Sequence, residues 1–211
     1  MIVFGSLDFG GGLNPMGNKR KENKKRFFYP DEFLKVLEHL NKNQKFTALT
    51  QINTGARINE CRGIKQQNLS AKRETIVLEH TKVRARLGER IPDPRTIKVS
   101  TSFFKLIRRA IPRLRILSTN AFNIGLRVAC IKAKIEKPEQ FSSHNLRKTY
   151  ATWMLSLGVD GFKLAQHLGH TPNELARDYA TNDVFNNDDK QTMVKILGNL
   201  PNKLITKPVF L

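Results

Sequence analysis

The sequence predicts a single, mainly α-helical domain carrying a small three-stranded antiparallel sheet. Three observations lead there. Leu146, Tyr150, Trp153, Met154 and Leu157 recur at helical spacing between Ser143, a suitable N-cap, and Gly158, a suitable stop, which predicts a helix over 144–157. Thr171-Pro172-Asn173-Glu174 is a capping box with proline at the first helical position, so another helix starts at Pro172. Finally, Thr75–His80 and Arg95–Ser100 are rich in β-branched residues and read as paired strands, joined by a basic, proline-bearing connection from Val83 to Pro94.

The other elements follow along the chain. Residues 1–26 hold Gly10-Gly11-Gly12 and a Lys19–Arg26 run with six cations and one Glu, without apolar periodicity. They read as a tail or linker, either a solvated face or a flexible arm that tracks phosphates. Tyr29-Pro30-Asp31-Glu32 opens a helix bearing Phe33, Leu34, Leu37 and Leu40. An apolar segment, Phe46–Ile52, precedes Thr54-Gly55 and a short helix with Arg57 and Glu60. Beyond the sheet, helices are expected at 102–110, 119–134, 160–167, 172–180 and 188–198. No internal repeat is evident, and about 185 ordered residues suffice for one core. Met193, Ile196 and Leu197 make Asp188–Leu197 amphipathic, suited to packing on its own domain or on a neighbouring copy.

Composition narrows the function. The 211 residues include 37 Lys or Arg against 18 Asp or Glu, a formal charge of +19, with a sequence pI near 10.3. Such a balance favours a polyanionic partner. Residues 82–115 concentrate it, with eleven basic and two acidic side chains. No apolar run approaches the ~18 residues of a membrane span, and Met1-Ile2-Val3-Phe4 is too short for a signal peptide, so a cytoplasmic protein is expected. Cys61 and Cys130 are far apart and suggest neither a disulfide framework nor zinc. His167-x-x-His170 is a metal pair on paper but lacks convergent further ligands, so no metal is assigned.

One constellation carries chemistry. His144 and Arg147 share a side of the 144–157 helix, rotated roughly 100° from its apolar stripe, which sets both at the core's margin within reach of a substrate. His170 precedes the helix that starts at Pro172, where backbone amides and the helix dipole favour an anion. Tyr179 lies in the third turn of that helix; alone it would read as a core aromatic, but Arg177, Asp178 and Asn182 give it polar neighbours. Upstream, Thr54-Gly55-Ala56-Arg57 adds a second arginine, with Glu60 three residues on either pinning the guanidinium or forming a plain surface pair. Two guanidiniums stay protonated and bind phosphate oxygens bidentately, and a tyrosine supplies a nucleophile. The set reads as a phosphodiester-handling site.

In order and spacing, Thr54-Gly55-x-Arg57-x-x-Glu60, His144-x-x-Arg147, Gly169-His170 and Tyr179-Ala180 resemble the tyrosine recombinase (phage integrase) family. The similarity covers residues 27–185, the family's catalytic domain, leaving 1–26 as the basic tail and 186–211 as a C-terminal helix and tail for protomer contact. The resemblance implies a recombinase or integrase of a mobile element, virus or plasmid. It would cut and rejoin DNA through a 3′-phosphotyrosine on Tyr179, without metal, ATP or any cofactor. Arg57 and Arg147 would clamp the phosphate, oriented by Glu60, with His144 or His170 assisting the proton transfers. Lys82, just past the first strand, matches the family's general acid better than Lys98 in the return strand, although the connection is longer than a tight hairpin. Arg84, Arg86, Arg90 and Lys148 are the candidate DNA contacts. Implied partners are double-stranded DNA at a specific recombination site and three further copies in a tetramer, in the nucleoid.

The departure from the family is at the front. Members commonly carry a core-binding domain before the catalytic one, and too few residues precede it here. The chain is therefore expected to be a minimal recombinase or part of a longer or split protein, relying on that missing domain or a host factor; Met16 is an alternative start. A type IB topoisomerase-like enzyme shares the same residue set, and a non-catalytic basic nucleic-acid-binding protein would use it only to contact phosphates.

Overall fold

The structure is a computed structural model that describes residues 26–79, 94–179 and 184–201, with the backbone alone at Asp178 and Tyr179. Its described part is mainly helical with one three-stranded antiparallel sheet, as the sequence predicts. The chain enters along the helix that will carry Arg147. Asn145 donates to the Arg26 carbonyl at 3.0 Å, Phe28 N–H to Thr149 Oγ1 at 2.9 Å, and the Trp153 indole to Phe28 O at 3.0 Å. Phe28 stacks on Phe141 with ring centroids 4.0 Å apart. These bonds seat α1 (Pro30–Glu38), whose first turn is closed by Glu32 accepting from Tyr29 N–H. Its buried stripe is Phe33 and Val36, continued by Leu40, while Leu34 is exposed.

Helix α2 (Lys42–Thr54) fills the centre. The sequence shows only an apolar run over Phe46–Ile52 because threonines interrupt its stripe. Those threonines are buried too: Thr47, Thr50 and Thr54 each return their hydroxyl to the carbonyl four residues back. A hydroxyl satisfied within its own helix can be buried at little cost, so polar residues line a helix covered on most sides. Gly55 ends it in the left-handed conformation, φ 64°, and α3 (Ile58–Arg62) follows at once.

Strands β1 (Leu69–Ser70), β2 (Thr75–Leu78) and β3 (Arg95–Lys98) lie in that order, with Leu69 opposite Ile76, Ile76 opposite Ile97 and Leu78 opposite Arg95. Both strands expected from the sequence are shorter than read. Ser100 leaves the sheet because its hydroxyl caps α4 (Thr101–Ala110), accepting from Phe103 N–H at 3.2 Å. Then come α5 (Thr119–Lys132), α6 (Ser143–Ser156), α7 (Gly161–Leu168), α8 (Pro172–Tyr179) and α9 (Asn187–Leu197). Ser142, one residue earlier than expected, caps α6. The box on α8 closes as read: Thr171 N–H donates to Glu174 Oε2 at 2.8 Å and Glu174 N–H to Thr171 Oγ1 at 3.2 Å. Helix α9 buries Met193 and Leu197 against α1, α2 and α6 of its own domain.

Two apolar cores result. The larger joins α1, α2, α5, α6, α7 and α9 around Tyr150, Trp153 and Phe122; the smaller joins the sheet, α4, Phe46, Ala56 and Cys61. Helix α3 spans the seam, giving Ile58 to the first and Cys61 to the second. At that seam a Cβ on Gly55 would run into the Tyr150 ring and Leu168. Gly55→Ala adds left-handed strain to overpacking and should cost roughly 2–4 kcal/mol, read as a lowered thermal and urea midpoint.

Candidate active site

Glu60 is the centre of the site. Its carboxylate is 1% exposed and receives both guanidinium nitrogens of Arg95, at 2.9 Å on Oε1 and 2.7 Å on Oε2. Arg57 adds Nη1 to Oε1 at 3.1 Å and its backbone N–H to Oε2 at 2.8 Å, and Arg147 Nη1 stands 3.9 Å from Oε2. Burial alone would raise the Glu60 pKa. The hydrogen bonds and charge of Arg95, then the Arg57 amide and the Arg147 charge, outweigh it and hold the carboxylate at about 2.

Arg147 is also 1% exposed, so it lies inside the core and not at its margin as the helical-wheel reading expects. It donates to Gly55 O at 2.8 Å and to Leu168 O at 2.6 Å, and Nη2 lies 2.8 Å from His170 Nε2. Because a guanidinium only donates, His170 Nε2 accepts, which puts that ring's proton on Nδ1. Gly169 makes the placement possible. In the left-handed conformation, φ 68°, it ends α7 and turns His170 back so that its N–H bonds Ala165 O at 2.9 Å. Arg57 Nη2 comes to 3.5 Å from the same His170 Nε2, and the Arg57 side chain remains 46% exposed.

The structure therefore brings Arg57, Glu60, Arg147 and His170 together. His144 sits one helical turn before Arg147 on α6, exposed, with Lys148 half-buried on the same helix. Tyr179 is the last residue of α8, a helix that packs on α6 and α7. Lys82, Arg84, Arg86 and Arg90 lie outside the described residues.

Sequence reading missed three members: Arg95, His167 and Tyr150. Arg95 shares its strand face with Ile97 and Val99, both buried, and a cation on an inward strand face is the signal that a buried anion waits opposite. Besides Glu60 it bonds His167 O through Nε at 3.1 Å. His167 Nε2 lies 2.9 Å from Thr54 O and 2.8 Å from the Tyr150 hydroxyl; a carbonyl only accepts, so Nε2 carries the proton. His167 thus ties α7 to the end of α2, and its ring nitrogen turns to Thr54 and Tyr150 while that of His170 turns to Arg147. Burial, together with the charges of Arg95 and Arg147, lowers the His167 pKa to about 4 against the opposing bond to Thr54, and burial pushes the Tyr150 phenol up. The Cys61 thiol is pushed up by burial to about 12, which makes it an inert wall. No described helix is long and apolar enough to cross a membrane.

A helical domain with a small sheet, holding three arginines around one buried carboxylate beside a histidine and a tyrosine-bearing helix, has the fold of DNA breaking-rejoining catalytic domains. The phage integrase family model matches residues 26–184, and the chain belongs to that family. Among solved structures, it is similar to a XerA recombinase, with 20% identity and a TM-score of 0.55 over 81% of this chain and 62% of that one. It also resembles the Tn1549 transposon integrase in complex with transposon right end DNA, with 18% identity and a TM-score of 0.59 over 82% of this chain and 66% of that one. The catalytic domain of bacteriophage HP1 integrase shares 22% identity and a TM-score of 0.55 over 72% of this chain and 85% of that one. The likeness to these structures is one of fold, and the chain spans under two thirds of the XerA and Tn1549 structures. No curated protein matches the sequence.

The buried histidine sets an acid limit on the fold. Unfolded, its imidazole takes a proton near 6.5; folded, only near 4. Its stabilising contribution is complete above pH 6.5 and is lost as pH falls toward 4. Thermal midpoints should drop through that window, and His167→Gln, which keeps a donor for Thr54 O, should flatten the drop. A slope as steep in the variant would exclude His167 as its source.

Proposed function

We propose that this chain is the catalytic part of a site-specific DNA recombinase. The observation that carries the reading is the convergence of Arg57, Arg147 and His170 on one point beside α8, the helix that ends in Tyr179. The Tyr179 oxygen attacks phosphorus, the bond from phosphorus to the 5′ oxygen breaks, and a 3′-phosphotyrosine retains the energy for rejoining. Negative charge growing on the nonbridging oxygens meets the guanidiniums, held in place before DNA arrives. His144 or His170 takes part in removing the tyrosine proton, and Lys82 supplies one to the leaving 5′ oxygen. The reaction uses neither metal nor ATP.

The substrate is duplex DNA at a defined site, acted on by four copies, with residues 27–185 as the catalytic unit, 1–26 as a basic arm and 186–211 as a C-terminal segment whose helix α9 packs on its own domain. A separate DNA-binding jaw, in the same polypeptide or supplied by a host factor, completes the grip. Such a protein works at the nucleoid. The family membership, the net charge of +19 and the DNA-bound Tn1549 structure support this reading.

Two measurements check it. Incubated with nicked duplexes covering the DNA that flanks its own gene, the protein should form an adduct that survives SDS, and Tyr179→Phe should form none. An adduct persisting in that variant would overturn the assignment of Tyr179. Binding to the same DNA should weaken steeply with salt. Changing Arg84, Arg86 and Arg90 to Gln should make the log-log slope shallower by about 0.9 for each phosphate that the variant leaves unneutralised.

A further inference from the structure

The arrangement around Glu60 contains one arginine more than a phosphate clamp needs. Arg57 and Arg147 both lie within 4 Å of the carboxylate, yet neither is its main partner. Arg95 takes one oxygen with each guanidinium nitrogen, at 2.7 and 2.9 Å, the bidentate geometry in which a carboxylate is best neutralised. Its third nitrogen, Nε, is fixed by His167 O, and the side chain is 16% exposed, against 46% for Arg57. Arg95 is thus aimed away from any substrate. These four groups together carry two positive charges, and a phosphodiester gains a second negative charge as it becomes five-coordinate.

We infer that Arg95 is a positioning residue whose task is to be the counter-ion of Glu60. Resting on the recombinase reading above, the inference states what each charge is for. Glu60 orients Arg57 through its backbone N–H and Nη1, and Arg95 satisfies the carboxylate so that it does not neutralise the arginines meant for the phosphate. Without Arg95, Glu60 would be a buried anion with Arg57 as its nearest cation, and the pair would close on itself. The placement has a second consequence. Arg95 opposes Leu78 at the last pair of the β2–β3 ladder, so the same ion pair also ties down that end of the sheet.

The test is a double-variant cycle in the full chain, read as the single-turnover rate of adduct formation on the flanking-DNA substrate. Arg95→Met should lower the rate at least 100-fold. In the Glu60→Gln background, where no carboxylate charge remains to be answered, the same change should cost less than threefold, and the double variant should outpace Arg95→Met alone. An equal loss in both backgrounds would overturn the proposal and leave Arg95 a structural strut. Arg95→Lys, which keeps the charge, should recover at least tenfold over Arg95→Met. If Arg95→Met alone does not fold, the double variant against Glu60→Gln still decides. A methylphosphonate at the scissile position, which removes one nonbridging charge, should shrink the Arg95→Met defect; a defect of unchanged size there also counts against the role. Failure of the recombinase reading looks different, because wild-type protein would then form no adduct.

Discussion

A single buried carboxylate constrains the rest of this structure. Glu60 sits at 1% exposure on a five-residue helix too short to be stable alone, and a carboxylate so placed costs several kcal/mol unless cations and hydrogen bonds surround it. Its partners come from three places: Arg57 from the cap of α3, Arg95 from β3 and Arg147 from α6. Two of these elements belong to different apolar cores, so satisfying Glu60 is equivalent to docking the sheet onto the helical bundle. Apolar packing makes each core, and the ion cluster sets their register.

Arg147 shows how the fold keeps a buried cation without drawing it into one tight ion pair. Its nitrogens reach Gly55 O and Leu168 O, carbonyls at the ends of α2 and α7. Both helices finish on a left-handed glycine, which turns the chain away and leaves the last carbonyls pointing at the site. The negative end of each helix dipole favours a cation by up to roughly 1–2 kcal/mol in such partly enclosed geometry. His167 uses the same device from the other side, donating to Thr54 O at the end of α2. The site is therefore built from helix ends as much as from side chains. That is why Thr54-Gly55 and Gly169-His170 are recognisable as short motifs: each marks a helix terminus whose orphan carbonyls have been put to use.

Those termini also explain what was legible in the sequence. Helices with a clean stripe and a cap, such as α6 and α8, are placed to within about a residue, because capping and 3.6-residue periodicity are local. Helix α2 is not read as a helix because its buried threonines satisfy themselves internally and break the stripe. The strand β1, two residues long, carries too little pattern to be seen. Within the site, residues in compact motifs were found, and residues that join it across long separations were not. Arg95 lies 35 residues from Glu60 and His167 lies 113 from Thr54. Each did leave a trace, a charge on an inward strand face and an imidazole on an apolar helix face, but neither names its partner without the fold.

The depth of each arginine then separates its duties. Arg95 and Arg147 are ordered by the protein itself, so in the proposed reaction little side-chain entropy would remain to be lost when a phosphate arrives. Arg57 is the exposed member, but its backbone amide and Nη1 are both tied to Glu60, leaving Nη2 3.5 Å from His170 Nε2. On the proposed reading, a phosphate would meet this more exposed arginine first and be drawn toward charges it does not have to arrange. Preorganised donors act at full strength in the transition state because they need not reorient as charge develops. In the proposed reaction, the buried base of the cluster would let one half-exposed guanidinium act as a fixed ligand, while the two cores that close around Glu60 offset the cost of burying that carboxylate.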